Sequence, residues 1–128
     1  MSIVLIDTRI WVPFFNRPQS PEKKAVDALI DDDRAAVIGP IVAAILQGIP
    51  REGTARYVAS LLRGIRYIEL ERTDWELAAG LGRRLVARGH RLPLSDLAEA
   101  AICLRLNAEV FPTDPHFDLI NDVRRFSA

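Results

Sequence analysis

The sequence predicts a three-layer α/β/α fold, a single domain over residues 1–128 with a central parallel sheet of four to five strands. Three observations predict it. Short uninterrupted apolar runs recur along the chain, the pattern of strands buried on both faces of a parallel sheet. Helical stretches separate these runs, and such alternation implies right-handed crossovers that cover the sheet on both sides. The composition, 49% hydrophobic and 27% charged over 128 residues, is that of a folded chain. A chain of this length buries about two-thirds of the surface exposed when unfolded, so neither disulfide nor structural metal is required.

Ile3-Val4-Leu5-Ile6 is the first strand and the expected centre of the sheet. A helical stretch from about Trp11 to Asn16 follows, then a loop in which Ser20 can cap a second helix that has Pro21 in its first turn and reaches Asp31. Ala35–Ile38 is the second strand. Pro40 at a first helical position opens Ile41–Gln47, which Gly48 and Pro50 close. Glu52–Arg63 places Ala55, Val58, Ala59 and Leu62 at helical spacing, and Tyr67–Leu70 is the third strand. Thr73 or Asp74 is the expected cap of a long amphipathic helix ending at Gly89, on which Trp75, Leu77, Ala78, Leu81, Leu85 and Val86 can share a face. Ser95 is expected to cap a helix over Asp96–Asn107. Ala108–Thr113 is the fourth strand, with Pro112 favouring its end. A helical turn at Phe117–Ile120 and an edge strand at Val123–Phe126 complete the chain.

Zero net charge argues against a domain that coats nucleic acid by bulk electrostatics. Of the 17 basic residues only Lys23 and Lys24 are lysines, and the other 15 are arginines, the side chain suited to bidentate phosphate contact. The longest apolar stretches, such as Ile38–Leu46, fall short of the ~20 residues a bilayer requires. The N-terminus shows no basic leader or cleavage site, so the expected location is cytoplasmic, with no membrane partner. Cys103, within an apolar run, reads as a buried small hydrophobe rather than a nucleophile. No Gly-rich phosphate loop, CxxC pair or HExxH motif is present, and His90 and His116 read as surface residues.

In an open parallel sheet, ligands bind beyond the carboxyl ends of the strands, where the strand order reverses. Asp7 ends the first strand and Asp114 the fourth, and Asp96 lies in the first turn of the helix that feeds the fourth. Each has a plain alternative: Asp96 as a helix-dipole partner, Asp7 and Asp114 as turn residues. Gathered in one crevice, three carboxylates would repel one another unless a cation neutralised them. An oxygen-only ligand set of this kind suits Mg²⁺ or Mn²⁺.

The opening Ile3-Val4-Leu5-Ile6-Asp7-Thr8-Arg9-Ile10-Trp11 resembles the hydrophobic-strand, Asp-Thr-Ser-x-Trp opening of PIN domains, especially the VapC-type toxins of bacterial toxin–antitoxin modules. Leu92-Pro93-Leu94-Ser95-Asp96-Leu97 is similar to their Leu-Ser-Asp helix entry. Thr113-Asp114-Pro115-His116-Phe117 is similar to their Thr-x-Asp-x-x-Phe ending, with one residue fewer between Thr and Asp. The resemblance implies a metal-dependent endoribonuclease using one or two Mg²⁺ or Mn²⁺ ions, with Asp7, Asp96 and Asp114 as ligands and Thr8, Ser95 and Thr113 orienting them. It also implies a homodimer and a VapB-type antitoxin whose peptide lies in an apolar groove. Trp11, Phe14, Phe15 and Trp75 read first as core residues, and any exposed members of the set would line that groove.

One position departs from the pattern. The family's middle helix carries a Glu four residues before its Gly, and here that position is Ala44, within Ala43-Ala44-Ile45-Leu46-Gln47-Gly48. The gap implies a weakened or inactive nuclease, or else a catalytically silent scaffold that binds antitoxin or RNA. Ala44 is either native or a replacement made to silence a toxic enzyme, and the intact flanking motif favours the second reading. Glu99, one turn beyond Asp96, offers a substitute carboxylate, although an ordinary helix-face charge is the favoured reading. Arg9, where the family carries a small hydroxyl residue, would contact substrate phosphate or pair with a carboxylate. Arg51 is a second phosphate-contact candidate, with a solvated surface arginine as its favoured reading.

Overall fold

The computed structural model describes residues 2–112 and 115–127. Its sheet has five parallel strands in the order β3-β2-β1-β4-β5: β1 Val4–Ile6, β2 Ala35–Ile38, β3 Arg66–Ile68, β4 Glu109–Phe111 and β5 Arg124–Arg125. The helices are α1 Thr8–Asn16, α2 Pro21–Asp31, α3 Gly39–Gln47, α4 Glu52–Leu62, α5 Arg72–Ala87 and α6 Leu94–Leu106, followed by a 3₁₀ turn at Pro115–Leu119. This is the predicted three-layer α/β/α arrangement with the larger strand number. All of β1 and β2 is buried, as expected for strands covered on both faces.

The strand order places the switch point beside β1. From β1 the chain builds outward through β2 and β3, then returns to add β4 and β5 on the opposite side. Val4, Leu5 and Ile6 pair with Glu109, Val110 and Phe111, so the carboxyl ends of β1 and β4 lie level. The Asp7 N–H donates to the Phe111 carbonyl at 3.1 Å, carrying the pairing one step past the strand. The carboxyl ends flanking such a switch point are where an open parallel sheet binds its ligands.

Several boundaries differ from the sequence expectation, each for a local reason. Helix α1 starts at Thr8 rather than Trp11 because the Asp7 carboxylate caps it, accepting from the Arg9 N–H at 3.1 Å. Helix α3 includes Gly39 as well as Pro40. Helix α5 starts at Arg72 with Glu71 as its cap residue, not Thr73 or Asp74, and the Asp74 carboxylate reaches back to accept from the Glu71 N–H at 2.8 Å. Helix α6 starts at Leu94 after Pro93, and Ser95 is exposed and makes no capping bond. Strands β3, β4 and β5 are shorter than Tyr67–Leu70, Ala108–Thr113 and Val123–Phe126. Thr113 lies outside the described residues.

The core gathers Val4, Leu5, Ile6, Val37, Ile38 and Val110 from the sheet with Trp11, Ile41, Leu85 and Ile102 from the helices. Trp75 and Val86 do not join it: Trp75 is 39% exposed and Val86 46% exposed, because α5 turns its Asp74, Ala78, Leu81 and Leu85 stripe inward. Trp11 is buried as predicted, and its indole N–H donates to the Ile6 carbonyl at 3.1 Å, tying α1 to the end of β1. Trp11→Phe, which leaves that buried carbonyl without its donor, is expected to lower stability by about 1–3 kcal/mol, read as a shifted urea midpoint.

Candidate metal centre

Asp7 and Asp96 converge as predicted, and Glu99 joins them. One carboxylate oxygen from each lies within 4.8 Å of the others, and all three side chains are buried: Asp7 is 2% exposed, Asp96 and Glu99 1% each. Asp7 is placed by the end of β1 and held by its cap bond to Arg9. Asp96 and Glu99 lie one turn apart on α6, which brings both onto one face of the helix. Asn107, in the left-handed conformation (φ 52°), ends α6 and turns the chain into β4. The same helix–strand unit therefore sets the height of the two α6 carboxylates relative to Asp7. Asp114 lies outside the described residues.

Glu99 corrects the sequence reading, which favoured a solvated helix-face charge. The signal was present: Leu97 through Cys103 are buried without interruption, so α6 has no solvent face in its middle turns. In the sequence this shows as Ala98-Glu99-Ala100-Ala101-Ile102-Cys103, a carboxylate inside an apolar run that amphipathic periodicity does not explain. Burial pushes the Glu99 carboxyl well above the ordinary range; the charge of Asp7, a hydrogen bond with it and the charge of Asp96 add to the effect, and Arg9 opposes it.

His116 is the second correction. It was read as a surface residue, but the 3₁₀ turn after β4 brings its Nδ1 to 2.7 Å from Asp96 Oδ2. Arg9 approaches the other oxygen of Asp96, with 3.9 Å between its guanidinium nitrogen and Oδ1. The Arg9 side chain is 45% exposed, so it stands on the solvent side of the buried carboxylates. Thr8 is half-buried at the first position of α1.

The remaining candidates lie on a neighbouring groove. Ala44 and Arg51 line a cavity of about 480 Å³ together with Val12, Phe15, Ile45 and Tyr57. Val12 and Asn16 also line the adjoining hollow bordered by Arg9 and Arg17. The groove wall is thus apolar, and arginines stand along its rim.

The donor set fits a hard divalent cation. It is made only of oxygens, and Glu99 Oε1 is buried without a hydrogen-bond partner among the described residues. Cys103 belongs to no such set: it is buried, and burial pushes its thiol far up. No helix among the described residues is long and apolar enough to cross a membrane.

Comparison with known proteins identifies the family and the fold. The family model of the PIN domain matches residues 4–123. Ribonuclease VapC11 of Mycobacterium tuberculosis is 28% identical over 130 residues, covering 98% of this chain and 97% of that protein. A VapC ribonuclease of Mycobacterium bovis matches equally, at 28% over the same span. Among solved structures, VapBC2 from Rickettsia felis, bound to a DNA fragment from its promoter, has a TM-score of 0.83 at 16% identity and covers 97% of each chain. FitAcB from Neisseria gonorrhoeae has a TM-score of 0.77 at 19% identity, covering 98% of this chain and 97% of that one. These identities speak to the fold, and the fold is the one the Asp-Thr and Leu-Ser-Asp motifs pointed to. With the match running from the first residue of β1 to Val123, this chain belongs to the PIN domain family.

Proposed function

We propose that the protein is a VapC-type toxin, an endoribonuclease that depends on Mg²⁺ or Mn²⁺. The observation that carries this reading is the convergence of buried Asp7, Asp96 and Glu99 oxygens within 4.8 Å of one another at the sheet's switch point. Asp7 and Asp96 hold the cation, with Asp114 as the further ligand the motif supplies. When bound, the ion supplies an activated water and stabilises charge developing on the phosphodiester. Thr8 and Thr113 are the candidates for orienting the carboxylates; exposed Ser95 is poorly placed to do so. His116 fixes the orientation of Asp96 through its 2.7 Å contact. Arg9 and Arg51, on the solvent side of the buried carboxylates and on the groove rim, suit contact with RNA phosphates.

Partners follow from the same family. The similar structure from Klebsiella pneumoniae is a toxin–antitoxin complex. On this reading the chain acts in the cytoplasm as a homodimer and is held inactive by a cognate VapB-type antitoxin. The apolar wall of Val12, Phe15 and Tyr57 is suited to the antitoxin peptide. Ala44 contributes no ligand, and this favours a second reading, a silent scaffold that only binds its partners.

Cleavage of total RNA by the wild-type protein and by Ala44→Glu, each stripped of metal and then given Mn²⁺, separates the two. The nuclease reading expects no cleavage by either stripped protein and cleavage by both once Mn²⁺ is returned. If neither form cleaves RNA at saturating Mn²⁺, the scaffold reading stands instead.

A further inference from the structure

We infer that Glu99 is itself a metal-holding residue, the third described carboxylate of the centre beside Asp7 and Asp96. This deepens the proposed function and rests on it.

The Glu99 side chain is 1% exposed, and its Oε1 has no hydrogen-bond partner among the described residues. Among the described residues, two further carboxylates, Asp7 and Asp96, each bring an oxygen within 4.8 Å. The Arg9 guanidinium lies 3.9 Å from Asp96, with its side chain 45% exposed. A buried acceptor left unpaired and a buried like-charge cluster are each unfavourable.

An amide at position 99 would suit a metal-free core better. Gln has nearly the same shape, carries no charge and has an NH₂ that can donate to Asp7. A cation among the three oxygens reverses that preference, because an ionised carboxylate at position 99 is then a ligand. Its origin on α6 matters as well. Asp96 is already on that helix, so the i, i+3 spacing brings a second oxygen ligand to the centre with no contribution from α3.

The test is a Mn²⁺ titration of wild type, Asp7→Asn and Glu99→Gln at neutral pH. Free Mn²⁺ is followed by electron paramagnetic resonance, and thermal unfolding is recorded with and without the ion. Glu99→Gln is expected to weaken Mn²⁺ binding at least ~10-fold, the scale on which perturbing a metal site is felt. Without metal it is expected to melt at or above the wild-type temperature, and the rise on adding Mn²⁺ is expected to shrink. If wild type binds Mn²⁺ through Asp7 and Glu99→Gln binds it equally well, the inference is overturned and the proposed function stands. If wild type binds no Mn²⁺, both fall. A Glu99→Gln protein that fails to fold without metal also overturns the inference, since the carboxylate would then serve the fold rather than the ion.

Discussion

Asp7→Asn is expected to reduce Mn²⁺-dependent RNA cleavage by about 10²- to 10³-fold, the scale of losing one group that stabilises transition-state charge. The fold is expected to survive. Asn ranks with Asp as a helix cap, and its side-chain oxygen can still accept the Arg9 N–H that Asp7 now takes at 3.1 Å. The backbone link from residue 7 to the Phe111 carbonyl is untouched by the change. What disappears is one negative charge from a set of three buried carboxylates. Because Asp7 is among the groups that push Glu99 up, its neutralisation relieves the cluster, so thermal stability without metal is expected to be unchanged or higher. Cleavage rates and melting curves on the same preparation check both halves. Wild-type activity in Asp7→Asn removes Asp7 from the chemistry, and an unfolded variant shows that its role is structural.

Asp74→Asn is expected to lower stability by about 2–3 kcal/mol, toward the lower end for breaking a buried pair because Arg105 is partly exposed. Arg105 grips Asp74 at both oxygens, Nε to Oδ1 at 2.7 Å and a terminal nitrogen to Oδ2 at 3.0 Å. Asp74 also accepts the Glu71 N–H, so one side chain starts α5 and clamps it to α6. That clamp steadies the helix on which Asp96 and Glu99 stand. The loss corresponds to a fall in Tm of roughly 10 °C for a domain of this size.

The pH dependence of this clamp has a definite sign. Burial works to raise the Asp74 pKa, but the Arg105 hydrogen bond, the Glu71 N–H and the Arg105 charge outweigh it and leave the group below its ordinary value of 3.8. The native state therefore holds this proton less tightly than the unfolded chain does. The stabilisation is complete above the ordinary carboxylate range and is lost as pH falls through the depressed native value. Denaturation midpoints of wild type and Asp74→Asn are expected to differ by a constant amount near neutrality and to approach one another in acid. A gap that persists unchanged in acid would contradict this assignment.

The fold was legible because its strongest elements satisfy local and global demands together. Ile3–Ile6 and Ala35–Ile38 are apolar on both faces and became the two innermost strands of one side of the switch point. Ser20 with Pro21 capped α2 as its chemistry requires. Where the reading slipped, a tertiary contact had overridden a local preference. Ser95 is a good cap by type, but Pro93 is already in the extended conformation that enters α6. Trp75 lost its place in the core to small residues on α5: Ala78 is fully buried, and Gly82 lets Leu97 of α6 come so near that a Cβ there would stand 2.9 Å from it.

The centre was legible in part. Asp7 and Asp96 could be found because a strand end and a helix start each point at the switch point. Glu99 was underweighted because spacing alone shows which residues share a face, not whether that face sees water. His116 was missed because a 3₁₀ turn, not a long-range pattern, swings it onto Asp96. Ala44 marks a departure from the family pattern, and whether the chain cleaves RNA with Ala there is what the Ala44→Glu comparison measures.

Whether the carboxylates at the ends of β1 and β4 hold a divalent cation is tested most directly by Mn²⁺ binding to the wild-type protein measured against Asp7→Asn. Saturable binding by wild type, lost or reduced at least ~10-fold in Asp7→Asn, is the predicted result. Equal binding by the two proteins, or none by wild type, would contradict it.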